Sequence, residues 1–268
     1  MSVARYSPAA FDSIAAQYDD IFTRSLIGRA QRNAVWDAVR RHFASGDTIL
    51  ELNCGTGEDA FFLADQGMRV LACDISAGMI AVANRRREGE RSSNQVEFRV
   101  LATEDLTDLC CPAPFDGVLS NFSGLNCVAD LRAAARNIAR LTRPGGKAIL
   151  CFTNKYCAWE MLWYVLQANL RKAFRRWSSG AAARIGNENV VVRYPGVTQI
   201  LRTFDPLFQP IEIHGIGVAV PPSYLEPWAR HYKKAVRAGV KMDRLVSRLP
   251  IVRGLGDHIL FVFERTAR

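Results

Sequence analysis

The segment Ile49-Leu50-Glu51-Leu52-Asn53-Cys54-Gly55-Thr56-Gly57 carries an apolar run straight into a Gly-x-Gly turn. Asp74 follows about 20 residues later, at the end of a second apolar run. Glycines in such a turn let the backbone bend tightly and approach a ligand with no Cβ in the way. An acid at the end of the next strand can accept both hydroxyls of a ribose. The pair predicts a nucleoside site. A dinucleotide loop would continue to a third glycine, but that position is Ala60, and Glu58 and Asp59 fill the first turn of the helix that follows. Acids there complement the helix dipole and repel a pyrophosphate over the same N–H groups. With Glu51 ahead of the loop, they predict a carboxylate-rich pocket suited to an ammonium and a sulfonium rather than to NAD.

Such a site needs a sheet to hold it. Apolar strands are predicted at 48–52, 69–73, 96–101, 115–119, 147–153, 210–214 and 258–264, with helices at 58–66, 77–87 and 129–141 between the first five. Apolar strands alternating with amphipathic helices indicate a doubly wound α/β sheet covered on both faces, with ligands at the carboxyl ends of its strands. Two helical stretches, 8–22 and 26–43, come first. After the fifth strand, 159–177 reads as one long helix, 178–183 as a mobile loop, 189–193 as a short strand and 221–249 as mostly helix. The expected division is lid helices over 1–44, a binding core over 45–153, and cap helices with sheet-completing strands over 154–268.

Further runs occur in a fixed order after the loop: Cys73-Asp74-Ile75-Ser76 with Met79, then Ala102-Thr103-Glu104-Asp105-Leu106, then Phe115-Asp116-Gly117-Val118 with Ser120-Asn121-Phe122, then Leu141-x-Arg143-Pro144-Gly145-Gly146. Together with the loop they resemble the class I S-adenosylmethionine-dependent methyltransferases, in the type-11-like bacterial small-molecule branch. The resemblance implies a Rossmann-like seven-stranded sheet, mostly parallel with its last strand antiparallel, plus a helical cap. It implies S-adenosyl-L-methionine as donor and S-adenosyl-L-homocysteine as product. Glu51, Cys54, Gly55 and Gly57 would line the methionine part, and Asp74 would hold the ribose. Ile75 and Met79 would pack on the adenine, Ala102, Thr103 and Glu104 would meet its edge, and Asn121 and Phe122 would close over the cofactor. Asn53 departs from the glycine or acid that many relatives carry, which alters local contacts but leaves the loop glycines intact. Phe11-Asp12-x2-Ala15-x2-Tyr18-Asp19 is similar to the lid segment of methyltransferases in the ubiquinone and biotin pathways, which implies Tyr18 near the sulfonium.

Methyl transfer is an in-line displacement, so alignment supplies much of the rate, and a base is required only for a protonated acceptor. Candidates at the carboxyl edge are His214, expected to end the sixth strand, and His258, expected to begin the last one beside Asp257. Tyr18 is a third candidate, Tyr194 and Tyr224 are weaker ones, and His42 and His231 read as surface residues. The apolar stretch from Trp159 to Trp177 ends in Arg171, Lys172, Arg175 and Arg176. It suits a cap walling an apolar acceptor pocket, or an interfacial helix in peripheral contact with a membrane. The acceptor is expected to be a small molecule or lipid precursor.

The chain has 268 residues, 49% hydrophobic and 23% charged, with net charge +9. No apolar run approaches the ~20 residues that cross a bilayer, and residues 1–6 lack a basic-then-apolar leader, which predicts a cytoplasmic protein. Seven scattered cysteines, adjacent Cys110 and Cys111 among them, form no metal-ligand spacing, so no metal is expected. The cations fall in separate patches (Arg85 to Arg91, Arg171 to Arg176, Arg230 to Lys241), which disfavours nucleic acid as partner. The alternatives are a regulatory protein that binds the donor without turnover, an NAD-dependent oxidoreductase and an RNA methyltransferase.

Overall fold

Successive residues of β1 (Thr48–Leu52) face opposite sides of the sheet, because side chains alternate along a strand. Ile49 enters one core and Leu50 and Leu52 the other. The same alternation recurs in β2 (Arg69–Asp74), β4 (Phe115–Ser120) and β5 (Thr142–Thr153). The computed structural model describes residues 9–90, 92–109, 113–178, 180–185 and 188–267, so Arg91, Cys110 and Cys111 lie outside the described residues. With β3 (Val96–Val100), β8 (Phe208–Ile216) and β9 (His258–Arg265), the strands form one seven-stranded sheet in the order β3-β2-β1-β4-β5-β9-β8. The five strands from β3 to β5 are parallel, and β9 inserts antiparallel between β5 and β8. This is the doubly wound, Rossmann-like α/β fold expected from the sequence.

One face is covered by α2 (Leu26–His42), α3 (Glu58–Asp65) and α4 (Ala77–Arg87), through Val35, Val39, Phe61, Leu63 and Ile80. The other carries α5 (Leu131–Leu141) and α8 (Val197–Phe204), where Ile138 and Phe204 meet Phe152, Phe261 and Phe263. Each buried aromatic contributes about 2 kcal/mol or more of apolar transfer free energy, which fixes the strand ends that carry the site. The start of α2 is pinned from far along the chain. The Ser25 hydroxyl accepts from Gly28 N–H (2.9 Å), and the Glu226 carboxylate from Leu26 and Ile27 N–H (2.9 and 3.0 Å). Glu226 opens α9 (Glu226–His231), which runs on to α10 (Lys233–Val246). No described helix is long and apolar enough to cross a membrane.

Three sequence expectations are corrected. The single helix over 159–177 is broken into α6 (Ala158–Leu166), α7 (Leu170–Ala173) and a 3₁₀ turn, Arg175–Trp177. Ala168 takes a left-handed φ of 55°, and the Asn169 side chain caps the new helix on Lys172 N–H. The stretch 178–183 is no loop throughout: β6 (Ala181–Ile185) pairs antiparallel with β7 (Glu188–Val192), which supplies its backbone partners. The early helix shortens to α1 (Ala9–Asp12), turns, and a π-helical segment, Asp19–Thr23, because two of its three acids are used on the core. Asp12 accepts from Gly78 N–H (2.7 Å) and the Ser76 hydroxyl, and Asp19 from the Thr56 hydroxyl (2.6 Å).

Candidate active site

At the carboxyl ends of β1, β2, β4 and β5 the chain encloses a cavity of about 340 Å³. The turn after β1 forms its floor. Asn53 and Gly55 take left-handed φ of 57° and 55°, and Gly57 one of 82°. A Cβ on Gly57 would come within 2.6 Å of the Phe98 ring, so this glycine shapes the turn and does not itself line the cavity. Asparagine tolerates the left-handed region, and Asn53 uses it to brace the floor. Its amide donates to the Ser120 hydroxyl and its carbonyl accepts from Thr103, both at 3.2 Å.

Asp74, buried at the end of β2, accepts Gly55 N–H on one oxygen and Ser76 N–H on the other, each at 2.9 Å. A carboxylate has about four lone-pair directions, so each oxygen keeps one for a further donor. Burial raises its pKa against the pull of those N–H groups. Cys54, Ile75, Met79, Asn121 and Phe122 also line the cavity. A small recess opens off it between Asn53, Ile75, Thr103, Glu104 and Cys127. Between the two adjacent acids, Glu104 is the one that lines the recess; Ala102 is buried at its edge and is not a wall. Glu51, expected to line the site, instead lies buried behind the cavity lining on the α2-facing side of β1, with Oε2 unpartnered, and burial pushes its carboxyl well above the usual range.

The expected acidity of the helix start is corrected. Asp59 is buried and taken by Arg32 (2.5 Å), Trp36 (2.6 Å) and Asn121 (3.0 Å). Glu58 pairs with Arg86 at 2.7 Å. These acids show the ligand no bare charge, whereas among the described residues Glu51 and Asp74 form no ion pair. Arg32 went unrecognised in the sequence, although a charge at i+4 from Gly28 and i−3 from Val35, on the buried stripe of α2, signals a partner.

The candidate bases separate cleanly. His258 starts β9 opposite Thr153 and Ile216, lines the cavity, and lies edge-on to Phe122 at 5.5 Å. Its Nδ1 is 3.4 Å from Asp257 without hydrogen-bond geometry, and burial holds its pKa below the ordinary 6.5. Asp257 is engaged by Arg176 (2.8 Å) and Gln31 (3.2 Å). His214 does not join the site: β8 runs two residues past it, and it lines a separate cavity of about 200 Å³ among Glu212 (2.8 Å), Arg41 and Arg248. His42, expected at the surface, is half-buried against Glu212 at 2.7 Å. Tyr18 lines the cavity beside Gly55, but burial pushes its phenol up to about 12, which leaves it a hydrogen-bond donor and no base.

The far wall comes from the chain after β5, through Arg175, Arg176, Ile185, Tyr194 and Tyr224, with Phe22 from the segment before α2. Both arginines converge on Glu160, a buried acid in an otherwise apolar helix, at 2.6 and 2.7 Å. Arg176 is buried there, whereas Arg175 keeps 44% of its side chain exposed while it holds Glu160. Among the described residues no His, Cys, Asp and Glu cluster could hold a metal ion.

Comparison with known proteins gives this geometry a context. Residues 49–146 match the family described as methyltransferase domain. Over 145 residues the chain is 35% identical to a demethylmenaquinone methyltransferase of Thermobifida fusca, covering 53% of this chain and 59% of that one. It thus spans little more than half the length of such relatives. It is 32% identical over 179 residues to a demethylmenaquinone methyltransferase of Beutenbergia cavernae, covering 65% of this chain and 70% of the relative. The fold matches a Listeria monocytogenes protein described as an S-adenosylmethionine-dependent methyltransferase, with TM-score 0.61 at 18% identity over 87% of this chain and 97% of that one. With its loop, its sheet order and a relative matched over more than two thirds of its length, the chain belongs to the class I S-adenosylmethionine-dependent methyltransferase family.

Proposed function

We propose that this protein transfers the methyl group of S-adenosylmethionine to a small-molecule or lipid-like acceptor. The observation that carries the reading is a single cavity with two chemically different ends. One end holds the glycine turn and Asp74, and the other Tyr194, Tyr224, Phe22 and His258. When bound, the donor supplies a carbon activated by an attached sulfonium. The residues fit that donor: the free lone pairs of Asp74 suit two ribose hydroxyls, and the orphaned Glu51 Oε2 suits an ammonium. Ile75 and Met79 offer apolar contact to the adenine, and Thr103 and Glu104 polar contact at its edge. Phe122, held between Phe22 and His258, closes the space over the donor. The aromatic far wall suits an acceptor ring; demethylmenaquinone, the acceptor in the relatives' names, belongs to that class. Incubation with labelled donor and a panel of quinol-like and phenolic acceptors tests the reading, and absence of labelled product from the whole panel and from cell extract would contradict it.

In this scheme His258 takes the proton of the attacking group. Its depressed pKa keeps the imidazole neutral at pH 7 and moves the acid limb of the rate profile below pH 6.5. His258→Gln is expected to lower kcat by about 10²-fold or more while S-adenosylhomocysteine affinity changes less than about twofold. Equal losses in both would assign the residue to binding instead. Glu51 yields a second expectation. Burial disfavours its ionised form, and a neighbouring ammonium favours it. Binding should therefore release a proton, and affinity should rise with pH until Glu51 ionises in the free protein. Calorimetry in two buffers of different ionisation enthalpy reads this directly, and identical heats in both would contradict it.

A further inference from the structure

Placed about 100° apart around the helix axis, the residues of α10 divide into three lengthwise strips. Val236, Val240 and Asp243 face the protein: Val236 is buried beside Ile27, Leu225 and Ala229, and Asp243 accepts from Ala219 N–H at 2.5 Å. The only acid of the helix is thus turned inward. Lys233, Lys234, Arg237, Lys241 and Arg244 form a second strip, all exposed. Among the described residues only Arg244 of these five has an acid near it, Asp37 at 3.8 Å. The third strip is apolar and equally exposed. It holds Ala235, Ala238, Met242 (49% exposed) and Leu245 (76%), and past the helix end come Leu249 and Ile251 (83%).

We infer that this face docks on an anionic lipid surface. Cations beside large exposed aliphatics, with no acid between them, are what an interfacial helix presents to headgroups and acyl chains together. A nucleic acid would use the cations and leave Leu245 and Ile251 in water. Helices α6 and α7 expose a smaller patch of the same kind, Leu162, Leu166 and Leu170 with Arg171 and Lys172, while Arg175 and Arg176 are held by Glu160 and Asp257. The docking helix is nevertheless joined to the site. Val236 and Val240 of α10 pack in one cluster with Trp159 and Trp163 of α6, the helix whose Glu160 holds the arginine wall of the cavity. A lipid-like acceptor would then reach a protein already seated at its source. This inference does not depend on methyl transfer taking place.

Sedimentation with vesicles of phosphatidylcholine containing about 30% phosphatidylglycerol, against pure phosphatidylcholine, tests it. The full chain is expected to bind the anionic vesicles at least tenfold better, and to be released at about 0.5 M salt. Lys234→Ala with Lys241→Ala should weaken binding about 25-fold, roughly fivefold per cation. Met242→Ser with Leu245→Ser should weaken it about tenfold or more. These side chains are exposed, so the variants should keep the parent's melting temperature and its stabilisation by S-adenosylhomocysteine, which separates lost docking from a lost fold or donor site. Equal binding to both vesicle types, or full binding by both variants, would overturn the inference. So would capture of single-stranded RNA by a chain that ignores vesicles.

Discussion

Asp74→Ala is expected to weaken S-adenosylhomocysteine binding at least a hundredfold. A hydrogen bond to a charged group contributes about 1.5–3 kcal/mol, and Asp74 has one free lone-pair direction on each oxygen for a ribose hydroxyl. Two such bonds amount to about 3 kcal/mol or more, hence at least a hundredfold. The substitution also frees Gly55 N–H and Ser76 N–H, which fix the turn and the start of α4. Asp74→Asn keeps one acceptor and the side-chain shape, so an intermediate loss is expected from it. Calorimetric titration of both variants, alongside melting curves that establish folding, measures the effect. A tenfold loss or less in the alanine variant would remove Asp74 from the ribose contact.

Arg176→Met is expected to cost about 3–5 kcal/mol of stability, the usual result of stripping the cation from a buried ion pair. Arg176 is 8% exposed and holds both Glu160 (2.7 Å) and Asp257 (2.8 Å), and it also donates to the Asp257 backbone carbonyl at 3.0 Å. Arg175 stays on Glu160, but Asp257 would keep only Gln31 and the neutral His258 near it. In a chain of this size the melting temperature should fall by roughly 10 °C. Adding Glu160→Gln and Asp257→Asn removes the orphaned charges and should restore part of the loss. A fall under about 2 °C in the single variant would show the network to be loose and hydrated.

The donor end of the site was legible in the sequence because it depends on local order. The turn after β1, the acid ending β2 and the alternation of apolar residues each lie within one strand-turn-helix unit. The acceptor end was not, because its contacts join residues far apart in sequence. Glu160 meets Arg175 and Arg176 only because the chain reverses at Ala168 and Asn169, and periodicity alone extended the helix through that reversal. The Ala181–Ile185 strand has little strand propensity and exists because Val190, Val191 and Val192 supply its ladder. His214 and His258 looked equivalent as residues at the sheet edge. Two further residues of β8 move the first one down the strand and into the cavity beside Arg41 and Arg248. Glu58 and Asp59 looked like bare charge at a helix start, and their neutralisation comes from Arg32 and Arg86, on two other helices.

The proposed function requires that this cavity hold an adenosyl donor through Asp74, with Glu51 buried just behind its lining. The direct test is calorimetric titration of the unmodified protein with S-adenosylhomocysteine, with NAD titrated in parallel. Saturable binding near one molecule per chain, with no heat and no thermal stabilisation from NAD, is the expected result. No binding of S-adenosylhomocysteine, or stabilisation by NAD in its place, would contradict it.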